Sequence, residues 1–248
     1  MNSNFQRSLS LVLQYEGGWS DDSRDPGGAT QKGVTLATFR RRVPNASKAD
    51  LRAISDQNLA VIYRDDFWNA VKADSLGDGV DLATFDAAVN SGPGRANGWL
   101  KASLGGSNVE TVKRVCAKRL GFMQSLKIWK TFGGGWSRRV AAIEAKGVAW
   151  AVAATSPATV VKSTLQNEQK AATAKSKTAA TTAGTATAAG GGDAVVNPHH
   201  VASMPGWVLG LLIIAGAAVI AALVIRSIVN KHRAEAYAAE AASQGVPQ

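Results

Sequence analysis

Tyr15–Thr35 reads YEGGWSDDSRDPGGATQKGVT, and the order of the first 155 residues can be read outward from it. Upstream, Phe5, Leu9, Val12 and Leu13 recur at helical spacing, and Gly17-Gly18 stop that helix just after Glu16. From Gly17 to Thr35 the residues are mostly Gly, Asp, Ser, Thr and Pro, which predicts a loop or small β-hairpin. Downstream the helical period returns. Pro44 ends a short basic helix containing Phe39 and Val43, and Ser55 caps a helix with Leu59, Ile62, Tyr63 and Phe67 on one face. Leu82, Phe85 and Val89 mark another, stopped by Gly92-Pro93-Gly94. A long helix through Val109, Val112, Cys116, Leu120, Met123 and Leu126 is expected to halt at Gly133-Gly134-Gly135, before a last one with Val140, Ile143, Val148 and Val152. Many helices around one polar β-like excursion predict an α+β domain, mainly α.

Residue types narrow the chemistry of that domain. The three histidines are His199, His200 and His232, so residues 1–155 contain none. Ser-His and Cys-His nucleophile pairs and His-ligated zinc are thereby excluded from this segment. Cys116 is the single cysteine, so no internal disulfide forms. Hydrolytic chemistry must then use carboxylates. Glu16 at a helix C-terminus, beside Tyr15 and Trp19, sits where the dipole and reduced solvation disfavour the ionised form. A carboxylic acid of that kind protonates the leaving oxygen in glycoside cleavage. Asp25 lies nine residues on, across the Gly-rich excursion, with Asp21 and Asp22 as competitors for the second role. The plain alternatives are a solvated Glu16 and an Asp-Pro-Gly-Gly turn at Asp25.

The run E-G-G-W-S-D…D-P-G-G-A-T-x-x-G-V-T resembles the N-terminal signature of glycoside hydrolase family 108, phage-type and bacterial N-acetylmuramidases with a lysozyme-like domain. Further matches follow in order at Ile62–Trp68, at Leu82–Pro93 and at Gly135-Trp136-Ser137-Arg138-Arg139, and the second half of this pattern resembles the family's peptidoglycan-binding region. The resemblance covers residues 5 to about 150. It implies that Glu16 is the catalytic glutamate. Glu16 and Asp25 also match the first spacing of the Glu-x8-Asp-x5-Thr pattern of phage-type lysozymes, and Thr30 follows after four intervening residues rather than five. Trp19, Trp68 and Trp136 offer flat faces for sugar rings, and Asn90 offers an amide for an N-acetyl group. Their alternatives are core packing for the tryptophans and a helix end for Asn90. No cofactor and no metal are expected for this chemistry, and peptidoglycan is the expected partner.

Charge and composition organise the rest. Residues 1–100 carry 11 basic and 12 acidic side chains, whereas 101–146 carry 10 basic against Glu110 and Glu144 only. Such a stripe attracts an anionic polymer, with a solvated helix face as the plain alternative. The wall is preferred to nucleic acid, for which no helix-turn-helix, zinc-finger or RNP pattern is present. Residues 156–200 hold 11 Ala and 8 Thr and no Phe, Trp or Tyr, a composition expected of a linker. Trp207–Ile225 is 19 residues without charge, followed by Arg226, Lys231 and Arg233. At ~1.5 Å per residue it spans about 28 Å, close to a bilayer's hydrocarbon thickness. The expected layout is therefore a lysozyme-like domain over 1–155, a flexible linker over 156–203, a transmembrane helix over 204–226 and a tail over 227–248. No secretory signal is expected in Met1–Tyr15, where Arg7 interrupts the apolar residues. The combined expectation is an enzyme of the bacterial inner membrane, a phage or prophage endolysin with a holin or other lysis partner, acting on periplasmic murein. The competing readings are an inactive, membrane-anchored wall binder and a secretion-associated muramidase.

Overall fold

The computed structural model describes residues 3–21, 28–190 and 206–244. It divides into two compact units, Met1–Ser156 and Pro157–Gln248. The first is α+β and mainly α, as the sequence predicts. α1 (Ser3–Leu13) leads into a two-stranded antiparallel hairpin, β1 (Thr30–Gln31) and β2 (Val34–Thr35), with Thr30 opposite Thr35 and Gln31 opposite Val34. Ser20 adds an isolated antiparallel bridge to Thr30. Then come α2 (Leu36–Arg40), α3 (Lys48–Arg52) and α4 (Asp56–Tyr63), followed by a π-helical turn at Arg64–Trp68 and two 3-10 turns. α5 (Val80–Ser91), α6 (Pro93–Lys101), α7 (Asn108–Gln124) and α8 (Trp129–Ala153) complete the unit.

Local chemistry sets these boundaries. Thr35, Ser47, Ser55 and Ser107 each accept a backbone N–H at the start of α2, α3, α4 and α7, satisfying a donor the helix leaves unpaired. α5 is apolar on almost every side, so it is buried on almost every side, with α1, α6, α7 and α8 packed around it. Phe85 of α5 meets Trp68 edge-on at 5.3 Å and Phe5 at 6.0 Å. Each such ring, fully buried, contributes about 1.5–3 kcal/mol. One boundary differs from expectation: Gly133-Gly134-Gly135 lie inside α8 and do not halt a helix. Gly133 is needed there because a Cβ would stand 2.5 Å from the Trp129 ring.

The second unit holds α9 (Ala158–Gly190) and α10 (Gly206–Ser243), packed as an antiparallel pair. A 33-residue helix thus occupies most of the stretch expected to be a flexible linker. Alanine has the highest helix propensity. Val161, Leu165, Ala172, Ala179 and Ala183 also form a buried stripe, which composition alone hides. Residues Ile214–Ser243 of α10 are long and apolar enough to cross a membrane.

Candidate active site

Glu16 lies three residues past α1, and not in its last turn as the sequence suggests. The Tyr15 N–H still bonds the Val12 carbonyl (3.0 Å), so the chain leaves the helix in a turn that delivers Glu16. Its Oε1 accepts from Arg139 Nη2 of α8 at 2.8 Å, and the Glu16 side chain is 17% exposed. The same guanidinium grips Asp86 of α5 through Nε (3.0 Å) and Nη2 (2.7 Å). Arg119 of α7 donates to the other oxygen of Asp86. Two carboxylates and two guanidiniums therefore tie four segments together with balanced charge. Asp86 and Arg119 are wholly buried, and burial alone pushes the Asp86 carboxyl up. The two guanidiniums outweigh it and leave Asp86 below the usual carboxylate range. For Arg139 burial acts downward, while Asp86 and then Glu16 raise it above its ordinary value.

The other oxygen of Glu16 faces the β-hairpin. Lys32 (φ 46°) and Gly33 (φ 77°) form the two-residue turn between β1 and β2, the left-handed geometry that suits a tight hairpin. A Cβ on Gly33 would sit 3.0 Å from Glu16 Oε2 and 2.6 Å from the Tyr63 hydroxyl. Only glycine meets both demands. Tyr63, buried in α4, donates its hydroxyl to the Lys32 carbonyl (2.8 Å) and so pins the turn against Glu16. Burial, and secondarily the charge of Glu16, raise the Tyr63 hydroxyl well above its usual range, so it stays a donor. Tyr15 is raised too, by burial first and by Asp86 second, with the Arg139 guanidinium 5.3 Å from its ring centroid acting the other way.

The remaining predicted residues are placed unevenly. Asp25 and its competitor Asp22 lie outside the described residues. Asp21 pairs with Lys48 at 3.0 Å. The Thr30 hydroxyl is committed to the Gly28 carbonyl (3.0 Å), a bond that shapes the entry to the hairpin. Trp19 packs partly buried against the core, with the Arg52 guanidinium 5.6 Å from its ring centroid. Asn90 is exposed near the end of α5 and accepts from Ser91 Oγ (3.2 Å). Trp136 stacks on Phe132 (5.8 Å, 25° between planes) and lies 6.2 Å from Trp129. Trp136 and Arg139 stand three positions apart, so this aromatic surface and the guanidinium holding Glu16 are neighbours along α8. Among the described residues no group of three His, Cys, Asp or Glu side chains comes together as a metal-ligand set.

Asp86, Arg119 and Arg139 carry the site's electrostatics without having been singled out from sequence. The signal was present. Arg119 follows Cys116 by three residues, on the same face as Val112, Val115 and Met123, and Asp86 stands between the buried Phe85 and Ala87 of α5. Counting Arg119 and Arg139 in a wall-binding surface stripe is corrected by their burial.

Residues 9–92 match the family model described as Glycosyl hydrolase 108, a span containing Glu16, the hairpin, Tyr63 and Asp86. A solved structure of Brucella abortus SagA is similar to this chain at 32% identity and a TM-score of 0.54, covering 61% of this chain and 97% of that one. Comparison with curated proteins gave no match.

Proposed function

The chain belongs to the glycosyl hydrolase 108 family of peptidoglycan hydrolases, and from that premise we propose that it is an N-acetylmuramidase with Glu16 as its general acid. The observation that carries this reading is the fixed carboxyl of Glu16: Oε1 is anchored by Arg139, and Oε2 is presented beside the Gly33 turn. A proton on Oε2 passes to the glycosidic oxygen as the bond to the sugar's anomeric carbon breaks. The positive charge that develops on the sugar needs a carboxylate or a positioned water, and Asp25 is the proposed source of that second function. Trp136 and Phe132 offer the apolar face on which a pyranose lies, and Trp19, Asn90 and Thr30 are proposed as lesser contributors to substrate positioning. Arg139 is a positioning residue. Its planar guanidinium holds Asp86 through Nε and Nη2 and Glu16 through Nη2 at once, an arrangement a lysine ammonium does not reproduce.

The further reading is an endolysin of phage or prophage origin, held at the inner membrane by α10 and released to periplasmic murein with help from a holin or another lysis partner. The apolar length of α10 supports the tether. The test of bond specificity is chemical. Purified murein is digested with the full chain, the new reducing ends are reduced with borohydride, and the amino sugars are identified. Reduced muramic acid supports the proposal; reduced glucosamine makes the enzyme a glucosaminidase; no new ends make it a wall binder.

A further inference from the structure

Buried ion networks are weak devices for stability, because well-packed apolar side chains of similar volume often serve as well or better. Asp86 and Arg119 are nevertheless wholly buried, one guanidinium away from Glu16. Arg119 engages through a single nitrogen. Its Nη1 donates to Asp86 Oδ2, while Nε and Nη2 have no hydrogen-bond partner among the described residues. Two unpaired buried donors cost stability. What Arg119 supplies here is charge, and Asp86 is the group that receives it.

The proposed chemistry gives that charge a use. A general acid must carry its proton until the glycosidic bond breaks. Arg139, 2.8 Å from Glu16 Oε1, fixes the carboxyl but also favours its ionised form. Orientation and proton-holding therefore conflict at this one contact. Asp86 relieves the conflict. Its Oδ1 accepts from the same Nη2 at 2.7 Å, which keeps the two carboxylate oxygens within about 5.5 Å and their charges strongly coupled. A negative charge that close favours a proton on Glu16. The effect requires an ionised Asp86, and burial alone pushes that carboxyl up. The Arg119 charge is the largest influence bringing it back down, ahead of Arg139. The other titratable groups that face Glu16 do not offset Arg139. Tyr15 and Tyr63 are raised above their ordinary values, chiefly by burial, and stay neutral. Lys32, in the turn facing Oε2, places its ammonium on Asp56 at 3.1 Å.

We propose that Asp86 is a positioning residue of the reaction, the fixed negative charge that lets Arg139 orient Glu16 without stripping its proton, with Arg119 holding Asp86 ionised as the medium turns acidic. This rests on Glu16 as the general acid and deepens that reading. With Glu16 protonated, the four side chains sum to one positive charge. The proton leaves Oε2 for the glycosidic oxygen, which keeps the electron pair of its broken bond to the anomeric carbon. Glu16 is then a carboxylate and the four sum to zero. The Arg139 bond to Oε1 now joins full opposite charges and strengthens. Net charge thus leaves a buried cluster as positive charge appears on the sugar.

The test is the pH profile of murein hydrolysis by the full chain in mild detergent. Release of reducing ends at limiting sacculi is followed for wild type, Asp86→Asn, Arg119→Met and Glu16→Gln, each checked for folding by tryptophan fluorescence at the assay temperature. At limiting substrate the profile reports the groups of the free enzyme. Asp86→Asn should move the alkaline limb to lower pH by at least about one pH unit, with the rate on the acidic side recovering toward wild type. A merely structural role lowers the rate alike at every pH. A folded Asp86→Asn whose limb stays with wild type, or moves to higher pH, overturns the proposal. Where Asp86→Asn does not fold, Arg119→Met decides. Near neutral pH Asp86 stays ionised through its two bonds from Arg139, so removing the Arg119 charge should move the limb to higher pH, by less. An unmoved limb, or one at lower pH, overturns the proposal. Glu16→Gln separates the two failures. If it is folded and inactive while the Asp86→Asn limb is unmoved, the general acid stands and the role of Asp86 falls; if it is active, both fall.

Discussion

Asp86→Asn removes the charge that two guanidiniums share while keeping the shape of the side chain. Arg119 would then be buried opposite a neutral amide, and Arg139 would keep only Glu16 as a charged partner among the contacts that hold it. Breaking a buried ion pair by neutralising one member costs about 3–5 kcal/mol. A whole domain is stabilised by only about 5–15 kcal/mol, so the loss is severe without guaranteeing unfolding. At about 2–4 °C per kcal/mol for a domain of this size, the melting temperature should fall by roughly 6–20 °C. Six of the seven tryptophans precede residue 157, so tryptophan fluorescence of the full chain in mild detergent reports this unit. The pH dependence is the sharper test. Asp86 lies below its unfolded value, so its contribution is complete above the unfolded pKa of about 3.9 and is lost as pH falls through the folded value. The gap between wild type and Asp86→Asn should therefore be widest above about pH 5 and narrow on further acidification. Equal melting at neutral pH, or a gap that widens on acidification, would refute this account of the cluster.

Three other changes follow from the same geometry. Arg139→Lys keeps the charge but loses the fork, so kcat should drop at least several-fold with KM little changed; an unaltered kcat would show that Glu16 needs no anchor. Gly33→Ala forces a Cβ toward Tyr63 and Glu16 at a left-handed position costing about 1–2 kcal/mol in backbone alone, and murein turnover should fall more than stability does. On the exposed side, Lys118→Glu, Lys127→Glu and Lys130→Glu should weaken co-sedimentation with sacculi, and added salt should do the same, since screening shortens to about 8 Å at physiological ionic strength; binding indifferent to both would make this a solvated face only.

Much of the first unit was legible because its signals are local. Ser55 caps the helix it was expected to cap, Gly92 ends α5, and Thr30–Thr35, at the end of the Gly-rich stretch, form a hairpin closed by Lys32-Gly33. What sequence did not show depends on contacts between distant segments. Arg119 and Arg139 count as surface charge until Asp86, 33 and 53 residues away, is seen between them. Gly133 reads as a helix stop until the Trp129 ring is found lying over it. α9 reads as linker because its buried stripe is mostly alanine, which becomes a contact surface only when another helix packs on it. Trp136 gained its place beside the site from Arg139, one helical turn further along α8.

The claim that Glu16 is the general acid is tested most directly by murein hydrolysis with Glu16→Gln, an amide that keeps the side chain's shape and cannot give up a proton. The full-length variant is first shown by tryptophan fluorescence to be folded, and the release of reducing ends from sacculi is then compared with wild type at equal binding. The account predicts a rate lower by about 10²–10⁴-fold with sedimentation on sacculi retained. A folded Glu16→Gln protein that releases reducing ends at close to the wild-type rate would contradict it.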